Sequence, residues 1–204
     1  METDMKTAEN IVKWIHAGIK PALGCTEPGA VALAAAYAGK ELGDGPVTRI
    51  EITVDPNVYK NGVAVGVPGT GRVGLEIAAA LGALIQEPSL ELSVLRSITP
   101  ELLTLAEKLL ASGNVKVSLK DRQGLYIEVL VFSGDRYARA ILEGGHTRLT
   151  HLSCNGKSIL QCGNEAVVSS EIQSDWDHAT LAGLIDAAVS LPADELLFFE
   201  ECTI

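Results

Sequence analysis

Tyr126-Ile127-Glu128-Val129-Leu130-Val131, turned by Ser133-Gly134-Asp135 and answered by Tyr137-Ala138-Arg139-Ala140-Ile141-Leu142, is the stretch on which the fold hangs. Both runs alternate with a period of two, the repeat of a strand with one face buried. A short glycine-containing connection between such runs folds them back as an antiparallel hairpin. The same period precedes it in Val115-Lys116-Val117-Ser118-Leu119 and follows it in Arg148-Leu149-Thr150-His151-Leu152. Cys154 and Cys162 flank a further turn at Asn155-Gly156-Lys157-Ser158.

Outward from these strands the period changes to that of helices. Ile11, Val12, Ile15 and Ile19 recur at helical spacing over Ala8 to Ile19, and Pro21 ends the run. A small-residue helix is predicted from Pro28 to about Leu42, with Thr26 or Glu27 as its cap. Val47 to Val54 alternates as a half-buried strand, and Val63 to Val67 is a candidate short one. Helices follow at Glu76–Leu84, at Pro100–Ala111 behind Thr99, and from about Trp176 to Ser190. Helices and one strand, then a run of strands, then a helix predict an α+β fold. The expected architecture is an antiparallel sheet packed with helices, with a glycine-rich loop leading into one of them. Residues 1–190 are read as one α+β domain. Residues 191–204 carry a new helix signal after Pro192 and are read as a segment that continues in a longer polypeptide.

The composition narrows the function classes. Of 204 residues 47% are hydrophobic but only 4% aromatic, so the core must be built from Ala, Val, Ile and Leu. With 26 acidic and 16 basic residues the net charge is -10. An acidic surface repels phosphate backbones, which argues against nucleic acid or an anionic membrane as a partner. No apolar run of about 20 residues is present to span a bilayer. The start, Met1-Glu2-Thr3-Asp4-Met5-Lys6, lacks the basic and apolar parts of a signal peptide. Cys25, Cys154, Cys162 and Cys202 form no CxxC pair, so reduced thiols and a cytoplasmic location are expected.

Three constellations could carry chemistry. Cys25 stands just before a helix N-terminus, where unpaired amides and the helix dipole favour a thiolate, a nucleophile or metal ligand. A small buried hydrophobe is the plainer alternative. Gly69-Thr70-Gly71-Arg72-Val73-Gly74 matches G-x-G-x-x-G, but Pro68 precedes it and no strand follows its helix at the distance a dinucleotide fold needs. It can still present amides to a carboxylate, or serve only as a turn for close helix packing. Glu143-Gly144-Gly145-His146-Thr147 joins two predicted strands, and His146 is either an acid–base group or a polar turn residue.

Together, Pro21-Ala22-Leu23-Gly24-Cys25-Thr26-Glu27-Pro28, Asp55-Pro56-Asn57-Val58-Tyr59-Lys60-Asn61-Gly62 running into Val67-Pro68-Gly69-Thr70-Gly71, and Glu143 to Thr147 resemble, in order, the motifs of the cysteine desulfidases, relatives of the iron–sulfur serine dehydratases. The resemblance implies a lyase that eliminates sulfide from L-cysteine, or water from L-serine, leaving pyruvate and ammonia. It implies a [4Fe–4S] cluster held by three cysteines, with Cys25 as one ligand. Cys154, Cys162 and Cys202 match none of the others, which are expected outside this chain, in a C-terminal cluster-binding half or a partner subunit. Thr26, Glu27, Asn61, Gly69, Thr70 and Gly71 are the implied substrate surroundings, and His146 the implied catalytic residue. Such proteins are roughly twice this length, so the chain alone is expected to be inactive. A small-carboxylate-binding module without chemistry is the alternative, and a homo-oligomer is left open.

Overall fold

The computed structural model describes residues 11–13, 15, 21–161 and 180–197. The chain divides into one compact unit over Ala22–Gly163 and another comprising Met1–Pro21 with Asn164–Ile204. Of the predicted first helix, residues 11–13 and 15 are helical, and the rest lies outside the described residues, as do Trp176, Cys162, Cys202 and residues 198–204.

The larger unit is organised around α1 (Thr26–Leu42). Cys25, in extended conformation, is its N-cap, one residue ahead of the expected Thr26 or Glu27. Glu27 puts an acid in the positive first turn, and Gly43 ends the helix at φ 66, its amide reaching Gly39 O and Lys40 O. Residues Ala30 to Ala36 are all fully buried, so this helix is apolar all round.

β1 (Arg49–Val54) leads through Asp55 into α2 (Pro56–Gly62), a short helix that the periodicity did not announce. The glycine stretch that follows is a miniature hairpin, β2 (Gly66–Val67) against β3 (Arg72–Val73), where a Val63–Val67 strand was expected. Gly74 then caps α3 (Leu75–Ile85). A 3-10 segment over Pro88–Ser97 and α4 (Pro100–Ala111, capped by the Thr99 side chain) complete the helical part.

The strands β4 (Val115–Leu119), β5 (Tyr126–Ser133), β6 (Arg136–Glu143), β7 (Leu149–Cys154) and β8 (Lys157–Gln161) join β1 in one six-stranded sheet, ordered β4-β1-β5-β6-β7-β8. The fold is α+β, as the sequence predicts. Its sheet is antiparallel except where β1 runs parallel to β4, Ile52 opposite Val117. A parallel pair needs a long crossover, and α2 to α4 supply it. Ile50, Ile52, Val54, Ile127, Val129, Val131, Ala138, Ala140 and Leu142 form the buried sheet face, on which α1 packs over β5 and β6 and α3 over β1. α3 packs on α1 so closely that a Cβ on Gly82 would lie 2.0 Å from Ala32 O, and one on Gly39 2.4 Å from Ala83 O. In the smaller unit, α5 (Leu181–Val189) is capped by Thr180, and Ala193–Leu196 forms a 3-10 turn. No helix among the described residues is long and apolar enough to cross a membrane.

Candidate functional site

The start of α1 meets two segments from far along the chain. Cys25 Sγ donates to Glu27 Oε2 at 2.9 Å, and Thr26 Oγ1 donates to the same oxygen at 3.2 Å. Asn61 Nδ2, from the last turn of α2, donates to Glu27 Oε1 at 3.0 Å. Gly24, at φ 78, lies against Pro68: a Cβ there would come within 2.8 Å of the proline Cγ. A Cβ on Gly62 would run into the Leu75 side chain, and its position is in ordinary van der Waals contact with Glu27 Cβ at 3.5 Å. Glu27 is thus the knot that ties the α1 start to the α2 end.

The position of α2 is set by Asp55. This residue is 1% exposed. Its Oδ1 accepts the amides of Asn57 and Val58, and its Oδ2 accepts the amide of Tyr126 at 2.8 Å. One carboxylate therefore caps the helix and pins it to β5. Asp55 lies in a motif that sequence reading singled out, yet it was not among the expected site residues. The Asp-Pro-Asn order, a cap followed by proline in the first turn, was the available signal.

The electrostatics of the node differ from the expectation at Cys25. A helix N-terminus lowers a thiol pKa, but here burial, and then the Glu27 carboxylate that accepts its hydrogen, raise it above the ordinary 9.0. Burial by itself would also raise Glu27. The hydrogen bonds from Cys25, Asn61, its own amide and Thr26 outweigh that and hold it below its ordinary value. Both shifts favour the proton on sulfur.

The other expected residues are distributed differently. Gly69, Thr70 and Gly71 form the tip of the β2–β3 hairpin, next to the Pro68 that touches Gly24. The Thr70 hydroxyl closes this turn, donating to Val67 O at 2.7 Å and accepting from Arg72 N at 3.0 Å. At the start of α3 Glu76 Oε2 stands 3.1 Å from the Cβ position of Gly74, so a carboxylate already faces that helix end. His146 is in the β6–β7 turn, held by Gly144 N to Leu125 O and Arg148 N to Gly145 O. Among the described residues no hydrogen bond joins it to Cys25, Glu27 or Asn61.

The donor set also tests the expected cluster. Among the described residues no three His, Cys, Asp or Glu side chains are grouped to hold a metal ion. Cys154 points its Sγ at Glu41 O, at the far end of α1. At 1.5 Å per residue, that end is roughly 24 Å from Cys25, so the two thiols cannot share one cluster. The described residues supply a single thiol at the node and do not by themselves fit a three-cysteine [4Fe–4S] group.

Comparison with known proteins bears on the family. A UPF0597 protein of Geobacter sulfurreducens is 43% identical over 190 residues, covering 91% of this chain and 44% of the relative. One from Photobacterium profundum is 43% identical over 185 residues, covering 89% of this chain and 43% of the relative. One from Chromobacterium violaceum is 38% identical over 205 residues, covering 100% of this chain and 47% of the relative. The chain therefore spans less than half the length of these relatives. No family model and no solved structure matches it. The resemblance to the cysteine desulfidases is corrected by these matches: relatives at this identity over most of the chain bear the name UPF0597 protein, which states no activity.

Proposed function

We propose that the node at the start of α1 is the reactive end of a lyase for a small amino acid, completed in a longer polypeptide. The reaction is elimination of sulfide from L-cysteine, or of water from L-serine, to an enamine, which tautomerises to an imine that water hydrolyses to pyruvate and ammonia. One observation carries this reading: Glu27 gathers Cys25, Thr26 and Asn61 onto one carboxylate, joining two motif segments 34 residues apart in sequence. A thiol, a carboxylate held ionised and an amide, set at a helix N-terminus beside a loop, can bind an amino acid and take up a proton. The compartment that suits free thiols at Cys25 and Cys154 is the reducing cytoplasm.

The test is the whole-length protein, incubated without oxygen with L-cysteine and with L-serine while pyruvate is measured. Pyruvate from either substrate, lost in Cys25→Ala, supports the lyase. No pyruvate from both ends it. The single thiol at the node favours a second reading, a site that binds a small carboxylate without chemistry. Calorimetry with cysteine, serine and pyruvate separates the two, since binding without turnover in the whole-length protein selects the binding module.

A further inference from the structure

Among the described residues of the smaller unit, α5 carries an exposed apolar stripe. On α5, Leu181, Ile185 and Val189 recur every fourth residue on one face and are 74%, 54% and 82% exposed. Ala187 is the only buried residue of this nine-residue helix. Helices this short are marginal in water and owe their stability to packing of an apolar face, so an uncovered one is short of a partner. Three large aliphatic side chains aligned on one face are what an interface looks like before it closes.

We propose that this stripe docks the remaining part of a UPF0597 polypeptide. More than half the length of each matched relative lies outside the matched stretch. The Chromobacterium violaceum match covers the whole of this chain, α5 included. A polypeptide that contains this stretch plus a further, larger part has a built-in source of apolar surface. The one ionisable residue of α5, Asp186, is exposed and stands three residues before Val189, so it borders the stripe at its C-terminal end and leaves Leu181 and Ile185 free of charge. The occupant is thus an apolar patch of the same family's polypeptide, acting on this face whatever the chemistry at Cys25.

The test compares this chain alone with a chimera that adds the unmatched part of the Chromobacterium violaceum relative in that relative's own order. Hydrogen exchange of residues 181–189 is the readout. The expected result is exchange at least about tenfold slower in the chimera. The triple variant Leu181→Ser, Ile185→Ser, Val189→Ser should return it to the rate of the chain alone. Because the three side chains are exposed, circular dichroism of the isolated variant should match that of the isolated parent chain. Equal exchange in chain and chimera overturns the proposal. So does a wild-type chain that sediments as a dimer and becomes monomeric in the triple variant, which would assign the stripe to a second copy.

Discussion

The flank of α1 and its N-terminus solve the problem of close approach in opposite ways. On the flank, α1 and α3 touch backbone to backbone because Gly39 and Gly82 have no side chain to interpose. At the N-terminus, Cys25, Thr26 and Asn61 are brought together by a carboxylate that accepts three hydrogen bonds. The first contact depends on size and is blind to chemistry. The second depends on chemistry, with size entering only beside it, where Gly24 lies against Pro68. Rigid, apolar packing holds the helix in place, and the polar end can then afford groups whose stabilising effect is small.

The largest expected effect breaks the size-controlled contact. In Gly82→Leu the Cβ alone would stand 2.0 Å from Ala32 O and 2.7 Å from Ala32 Cα, so the two helices must part. Overpacking of this kind should cost more than about 3 kcal/mol, exceeding the roughly 1 kcal/mol that leaving glycine returns in helix propensity. Urea unfolding monitored by circular dichroism checks it, and a loss below about 0.5 kcal/mol would refute the close crossing.

Next comes the link between the two regions. Asp55→Ala removes the partner of three backbone amides, one of them in β5. Unsatisfied buried donors make about 2 kcal/mol the expected loss. Asp55→Asn keeps an acceptor oxygen and should recover about half of it. If both variants unfold at the parent's urea midpoint, Asp55 does not position α2.

The sequence revealed these regions unequally. Period-two runs marked β1 and β4 to β7, because alternation is imposed by burial of one face and needs no knowledge of the partner strand. Which strand pairs with which is a tertiary property, so the parallel β1–β4 pairing could not be read from Val115–Leu119. The glycine stretch resembled a strand feeding a helix, but Pro68 and the positive φ of Gly69 and Gly71 fold it into a hairpin instead. Cys25 was legible as a residue at a helix start. The direction of its pKa shift was not, since it depends on burial and on where Glu27 points. Asn61 was legible as part of a motif, and only the Asp55 anchor explains how it reaches Glu27.

A smaller effect sharpens the chemistry-controlled end. The folded state favours the Cys25 thiol, so that contribution is complete below the ordinary value of 9.0 and is lost as pH rises through the higher folded value. Glu27 behaves oppositely. Its contribution is present above the ordinary 4.5 and is lost as pH falls through the lower folded value. Glu27→Gln should cost about 1 kcal/mol at neutral pH and remove the acid limb. It should also move the alkylation profile of Cys25 to lower pH, because the carboxylate that accepts the thiol's hydrogen is gone while burial remains. An unchanged alkylation profile would detach the thiol from Glu27.

The smallest effect is expected at Asn61, whose bond to Glu27 is exposed to water. Asn61→Ala should cost only about 0.5 kcal/mol, since water replaces the lost donor. The stability limb that belongs to Glu27 should nevertheless shift toward higher pH, because one of the bonds that depress its pKa is gone. The two readouts separate the roles. Small loss with a shifted limb means that Asn61 tunes the carboxylate, as a polar node requires. A loss above about 2 kcal/mol with an unshifted limb would mean that it holds α2 against α1 as Gly82 holds α3, and the contrast between the two ways of packing α1 would fail.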